Sequence, residues 1–428
     1  MESIDLLITA RWIIPIEPAN TVLEQHAIAV RQGRIVAILP IDAALARFAA
    51  NERLDRSTHV VLPGLVNAHT HAGMTLLRGV AENLGFDAWL HERIWPLEQR
   101  LLDPEFVRDS VELAIVGMLA SGTTCFAEQY FYPDVVAQTA SQMHMRACVG
   151  APIVEVNTPW ASSANECLDK ALLLHDAYRD DPLITTAFAP HAVYSAAETV
   201  LTRMRSTADE IEMPIAMHLH ESPNETATTE RPIAMLERLG FLTPAFSAVH
   251  MTQLNADDIE RVVRGGINVV HCPQSNLKLD NGICPVATLL ARGVNVALGT
   301  DGAASNNDLD MLDELRTAAL LAGSKITAHQ WLRIATLNGA RSLGLADAIG
   351  SITPGKWADL CCLDLNDIHT QPLYDVPATI IYAANRSNVS DAWVAGRHLL
   401  NDHRFSRYDA AAVISRAQQW QKRISPSS

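Results

Sequence analysis

The sequence predicts a (β/α)8 barrel joined to a small composite β-sandwich domain that the two ends of the chain build together. Three observations carry this expectation. Eight short apolar runs are separated by helix-length amphipathic segments, β-rich texture is confined to the two termini, and histidines fall where the apolar runs stop.

Taken in order, residues 4–40 alternate the runs Leu6–Ile8, Ala27–Val30 and Ile35–Leu39 with polar turns such as Arg31-Gln32-Gly33-Arg34, the texture of a small antiparallel sheet. The same texture returns at Ala358–Leu363 and Val389–Val394, followed by the turn Ala395-Gly396-Arg397 and Leu399-Leu400. Chain ends in compact proteins often lie close together, so residues 1–60 and 351–428 are assigned to one small domain that ends in a closing helix from Ala410 to Arg423. Residues 61–350 are assigned to the barrel. Its candidate strands are Val60–Asn67, Thr123–Ala127, Ala147–Ile153, Ile184–Ala189, Ile215–His218, Ser247–His250, Ile267–His271 and Val294–Gly299. Such barrels typically occupy about 250 residues, which this span accommodates.

Composition narrows the function. With 428 residues and 48 % apolar side chains, the chain must bury a large core and is not disordered. Against 33 Lys and Arg stand 48 Asp and Glu, a net charge of -15, which argues against a nucleic-acid partner because phosphate backbones demand a basic footprint. The start Met1-Glu2-Ser3-Ile4-Asp5 lacks a basic leader and no apolar stretch has membrane-spanning length, so a cytoplasmic protein with no membrane partner is expected. Seven cysteines without zinc-knuckle spacing suit a reducing compartment. The 16 histidines are the unusual feature.

Polar residues gather at the strand ends: His69 and His71, then His191, then His218, His220 and Glu221, then His250, His271 and Asp301. In a barrel all eight carboxyl ends converge on one face, which carries the active site. Side chains alternate along a strand, so His69 and His71 share a face and can reach one metal. Three neutral imidazoles and a carboxylate suit a single divalent ion, zinc or iron alike, and lower the pKa of water from 15.7 to about 7. A second metal would call for a bridging lysine at the fourth strand, whereas that strand ends Phe188-Ala189-Pro190-His191. Glu221 is placed to shuttle protons. By periodicity alone, His218 and His220 are equal candidates for the third imidazole.

With these residues stand Met74-Thr75-Leu76-Leu77-Arg78-Gly79, Cys272-Pro273-Gln274-Ser275-Asn276-Leu277-Lys278-Leu279, Gly299-Thr300-Asp301-Gly302-Ala303-Ala304-Ser305-Asn306-Asn307 and Gly350-Ser351-Ile352-Thr353-Pro354-Gly355-Lys356. On them the chain resembles the amidohydrolase superfamily, and more narrowly the 5'-methylthioadenosine/S-adenosylhomocysteine deaminases, from about Leu6 to Asn401. The resemblance implies His69, His71, His218 and Asp301 as metal ligands, Glu221 as the acid that protonates the ring, and His250 as the partner of the hydrolytic water. It prefers His218 over His220 because the family's glutamate follows its metal histidine by three residues. It further implies Glu98 on the ribose hydroxyls, His191 on the purine N3 edge, Trp89 beside the 5'-thioalkyl group and Ser305 among the substrate contacts. A homo-oligomer acting on a small nucleoside is the corresponding partner expectation. Some family members hold the carboxylate of S-adenosylhomocysteine with arginines after the third strand; the stretch Ala147–Ser163 contains none, which ranks 5'-methylthioadenosine and adenosine first and leaves Arg231 as the candidate substitute.

The implied reaction is hydrolytic deamination at purine C6, with Asp301, assisted by His250, taking a proton from the attacking water and Glu221 protonating N1. Hydrolysis of a free base or a triazine is the competing enzyme reading, and Glu98 separates the two because a free base has no ribose to bind. A non-catalytic scaffold would have shed metal ligands, which this chain retains.

Overall fold

The computed structural model describes residues 1–424. The N-terminal strands β1 (Glu2–Ile13), β2 (Leu23–Arg31) and β3 (Arg34–Pro40) form an antiparallel meander, and a helix over Ile41–Arg47 leads into β4 (Phe48–Pro63). That helical crossover returns β4 parallel to β1, so the sheet is mixed rather than purely antiparallel. Barrel strands follow: β5 (Leu65–Thr70), β6 (Thr123–Gln129), β7 (Arg146–Ile153), β8 (Ile184–Pro190), β9 (Ile215–Leu219), β10 (Phe246–His250), β11 (Asn268–His271) and β12 (Asn295–Leu298). The chain then adds β13 (Leu360–Asp364), β14 (Val389–Val394), β15 (Arg397–Asn401) and β16 (Arg404–Phe405) to the first sheet, in the order β16-β15-β14-β13-β4-β1-β2-β3. Leu6, Ile8, Ile28 and Val30 pack with Leu360, Cys362 and Trp393, so this continuous sheet folds over a core supplied by both ends of the chain. All seven cysteines are buried, and none of them forms a disulfide.

The eight strands β5 to β12 are neighbours in sequence order, and those whose registers are defined run parallel. A parallel bridge between Thr70 and Asp301 brings the first strand's end to the last. Two local devices permit that approach. Asn67 clamps the Thr300 backbone N–H (3.0 Å) and hydroxyl (2.7 Å), and Gly299 lies where a Cβ would come within 2.8 Å of the His69 backbone nitrogen. The first barrel strand expected over Val60–Asn67 is corrected: Val60–Pro63 ends β4, the ladder breaks at Gly64, and the barrel strand is Leu65–Thr70. A continuous apolar run hides that break, because a fully buried strand of either sheet looks alike.

The compact units are residues 1–66, 117–125 and 310–408, holding the small sheet, and residues 67–116, 126–309 and 409 onward, holding every strand-end residue singled out above. This division differs from boundaries at 60 and 350. The helix Ala410–Ile424 belongs to the second unit, where Trp420 donates to Asp109 (2.8 Å) and meets the Phe106 ring edge-on. Among the described residues no helix is long and apolar enough to cross a membrane.

Candidate active site

The end of β5 presents His69 and, just beyond it, His71; β9 presents His218, β10 ends on His250, and Asp301 follows β12. Asp301 Oδ1 lies 3.3 Å from His69 Nε2 and 3.1 Å from His71 Nε2, while His69 and His218 bring their Nε2 atoms within 3.1 Å. Ligand atoms of His69, His218, His250 and Asp301 all fall within 4.8 Å of one another, and all four residues are buried.

Hydrogen bonds at the rear of the rings decide what faces inward. His71 donates Nδ1–H to the Gln129 carbonyl (2.5 Å) and His218 donates Nδ1–H to the His191 carbonyl (2.8 Å). A neutral imidazole carries one N–H, so His71 turns an Nε2 lone pair toward the Asp301 carboxylate and His218 turns one toward His69 Nε2. Lone pairs and an anion at 3 Å repel unless a cation lies among them, which is the donor set a divalent metal takes. Electrostatics agree. Burial pushes His69 down to about 4 and His218 well below the ordinary histidine range. Burial also opposes protonation of His71, yet the Asp301 carboxylate, with help from Glu128 and the Gln129 carbonyl, raises it to about 9, the direction expected where the surroundings favour a positive charge. Against its own burial, Asp301 is held well below the usual carboxylate range by His69 and His71.

Glu221 Oε1 sits 3.6 Å from His250 Nε2 and accepts from the Asn281 amide (3.2 Å). Burial, then the charges of Asp301 and Glu225, raise its carboxyl well above the usual range, which favours its protonated form. His220 is excluded from the centre. Its backbone has φ 51°, so the strand alternation ends at Leu219 and its ring turns away, with Nε2 accepting from Ile233 N–H (3.2 Å) and Nδ1 on the Gln253 carbonyl (3.2 Å). His250 (φ 77°) and Asp301 (φ 62°) occupy the same sparsely used region, as residues at functional sites often do. Arg231 is also corrected: it grips both oxygens of Asp258 at 2.9–3.0 Å through Nε, also meets the Gln253 carbonyl, and is absent from the cavity wall.

Above the histidines opens a cavity of about 290 Å³, lined by His71, His191, His218, His250, Glu221 and Asp301 at its polar end. Phe86, Trp89, Val154, Val156 and Tyr194 form the apolar end, with the Trp89 indole N–H on the Ala304 carbonyl (3.3 Å). Glu98 lines the wall too. Its own surface is only partly covered, yet protein atoms surround the carboxyl; that burial raises it to about 7 against the Tyr130 hydroxyl, which donates to Oε1 at 2.6 Å. Ser305 does not reach the cavity: its hydroxyl donates to Asp301 Oδ2 (2.8 Å) from behind. His271 is buried outside the cavity wall, with Nδ1 lacking a protein partner.

Sequence reading missed Glu128 and Tyr130. Glu128 is 2 % exposed and accepts from Thr70 Oγ1 (2.8 Å) and from the backbone N–H of Ala72 (2.7 Å) and Gly73 (3.2 Å), bracketing His71. Gly73 is required there because a Cβ would come within 2.3 Å of the Tyr130 ring. Both residues lie at or just past the end of β6, so the strand-end rule that found the histidines would have found them.

A family model for the amidohydrolase family matches residues 60–399. The chain belongs to the amidohydrolase family. This amidohydrolase is 42 % identical to a 5-methylthioadenosine/S-adenosylhomocysteine deaminase of Teredinibacter turnerae, over 99 % of this chain and 98 % of the relative. It superposes on the crystal structure of an adenosine deaminase from Xanthomonas campestris with bound zinc, at TM-score 0.97 and 49 % identity over 99 % of each chain. The zinc complex of the atrazine chlorohydrolase TrzN from Arthrobacter aurescens superposes at TM-score 0.91 over 97 % of this chain and 99 % of that one, with 20 % identity, a likeness of fold.

Proposed function

We propose that this amidohydrolase hydrolyses the 6-amino group of 5'-methylthioadenosine and related adenosines to the inosine analogue and ammonia, with one divalent metal, zinc, held by His69, His71, His218 and Asp301. The observation that carries this reading is the pairing, across one cavity, of an imidazole-carboxylate centre flanked by an acid with a buried carboxylate that keeps one oxygen for the ligand. The deaminase relatives at 42 % and 49 % identity support it.

Bound there, the metal supplies Lewis-acid activation of water, the source of hydroxide at neutral pH. The chain's own residues do the rest. Asp301 receives the proton of the attacking water on Oδ1, since Oδ2 is engaged by Ser275 and Ser305. His250 orients that water with its inward Nε2. Glu221 gives its proton to N1 as C6 becomes tetrahedral, the proton on Asp301 passes to the departing amine, and the C6 hydroxyl proton is released to the carboxylates as the carbonyl forms, restoring the acid form of Glu221. His191 meets the N3 edge, and Glu98 takes the ribose hydroxyls on the oxygen that Tyr130 leaves open. Phe86, Trp89 and Tyr194 surround the 5'-substituent. Among the described residues no arginine or lysine lines this cavity, so a neutral methylthio group fits better than an anionic amino-acid tail.

A panel of 5'-methylthioadenosine, adenosine, S-adenosylhomocysteine, guanine and a chlorotriazine, assayed for ammonia or chloride release, tests this reading. The expected order is methylthioadenosine and adenosine ahead of S-adenosylhomocysteine, with the free base and triazine inert. Activity confined to guanine or the triazine would reject it.

A further inference from the structure

The ten residues after β11, Cys272–Asn281, line no part of the cavity, yet three of their side chains each hold a different member of the proton-handling set. Ser275 Oγ donates to Asp301 Oδ2 (2.5 Å), Asn276 Oδ1 accepts from His250 Nδ1 (2.8 Å), and Asn281 Nδ2 donates to Glu221 Oε1 (3.2 Å). Ser275, Asn276 and Asn281 are 0, 1 and 2 % exposed. We propose that this segment is a single positioning element, which sets the atom on each of Asp301, His250 and Glu221 that carries or receives a proton. The consequence for turnover rests on the deaminase reading above; the positioning itself does not.

Each contact has one chemical outcome. Asp301 Oδ2 receives two hydroxyl donors, Ser275 and Ser305, and this leaves Oδ1 as the basic oxygen beside His69 and His71. A neutral imidazole has one N–H, and the Asn276 carbonyl keeps that hydrogen on His250 Nδ1, so Nε2 offers a lone pair to the centre. The Asn281 amide occupies Glu221 Oε1, which places the acid proton of Glu221 on Oε2. Two asparagines thus act with opposite polarity, one as acceptor and one as donor, each matched to the group it meets.

The element is braced against movement. Its backbone is tied by Asn276 N–H to the Cys272 carbonyl (3.1 Å), Leu279 N–H to the Ser275 carbonyl (3.0 Å) and Asn281 N–H to the Asn276 carbonyl (2.9 Å). The Gln253 side-chain amide donates to the Asn281 carbonyl (2.5 Å), tying it to the loop after β10. Buried groups that orient a catalytic ligand typically contribute about 10–100-fold to activity, the scale expected here.

The test uses the metal-replete, histidine-labelled full chain and two substitutions, Asn276→Leu and Asn276→Asp. Heteronuclear NMR reads the His250 tautomer, steady-state kinetics on methylthioadenosine separate kcat from KM, and metal is counted on the same samples. Asn276→Leu is expected to lose the Nδ1–H preference and about 10–100-fold in kcat, with KM within about twofold and metal unchanged. Asn276→Asp keeps an acceptor and is expected to restore the tautomer and most of kcat. A leucine variant with parental tautomer and kcat, or an aspartate variant that is folded and metal-loaded but no better than leucine, overturns the proposal. If the parent releases no ammonia from any adenosine while the tautomer responds as described, the deaminase reading fails and the positioning element stands.

Discussion

Replacing Glu98 by glutamine probes the nucleoside half of the account without touching the metal ligands. In the structure the Tyr130 hydroxyl occupies one carboxylate oxygen at 2.6 Å, so the other is the acceptor available to two ribose hydroxyls. A hydrogen bond to a charged group contributes about 1.5–3 kcal/mol, and glutamine removes the charge and offers an N–H₂ where an acceptor is required. A loss of about 3 kcal/mol, or roughly a hundredfold in kcat/KM, is expected for 5'-methylthioadenosine. The same substitution should cost 2',3'-dideoxyadenosine almost nothing, because that ligand has no hydroxyls to lose. A cycle of two enzymes and two substrates isolates this coupling. The pH dependence has a definite sign. Burial holds the Glu98 carboxyl at about 7, opposed by the Tyr130 hydroxyl and the charge of His71, so below that value it is protonated and ribose binding must expel a proton. KM for the riboside should therefore rise about tenfold per unit as pH falls below about 7, while KM for the dideoxy analogue stays flat. Equal losses on both substrates, or none on either, would refute the ribose assignment.

Other substitutions separate the remaining roles. Glu221→Gln should retain metal, counted per chain, and lower kcat by about two to four orders of magnitude, the range for general acid-base groups; parental turnover would remove Glu221 from the mechanism. His218→Ala should strip metal from the purified chain, whereas His220→Gln should keep it and lower stability in urea by about 1–3 kcal/mol, since its ring bridges Ile233, Gln253 and Arg231 away from the centre. In the small-sheet unit, Asp391 is buried beneath Arg56 (2.7 and 2.8 Å), His398 (3.0 Å) and Ser390 (2.6 Å). Asp391→Ala leaves Arg56 unpaired and should cost about 3–5 kcal/mol in denaturant unfolding. Burial alone would raise the Asp391 carboxyl, but His398, Arg56 and Ser390 hold it well below the usual range. That stabilisation is present above the unfolded value of about 4 and fades as pH falls toward the native one, so parent and variant should converge in acid.

The barrel was legible because β6 to β12 are short apolar runs bounded by turns, and the site because its polar residues interrupt that pattern where strands end. Two features escaped for physical reasons. At Gly64 the chain passes from one sheet to another inside an unbroken apolar run, and periodicity does not register a change of partner. At His220 a left-handed backbone conformation reverses the side-chain alternation, so a rule of two that holds for His69 and His71 fails one strand later. Ser305 and Arg231 show a third limit: residue type suggests contact with a ligand, but only the structure reveals that Asp301 and Asp258 already engage them. The roles of Ser275 and Asn276 lay inside a motif that sequence analysis quoted, without a neighbour to act on until β10 and β12 brought His250 and Asp301 alongside.

The central claim is that one metal at the His69, His71, His218 and Asp301 centre supports deamination of a 5'-substituted adenosine. Stepwise return of zinc to the chelated protein, with ammonia release from 5'-methylthioadenosine followed at each addition, tests it most directly. The account predicts activity that rises linearly and stops at one zinc per chain, with one inosine analogue formed for each ammonia. A break at two metals per chain, or no ammonia at any loading, would contradict it.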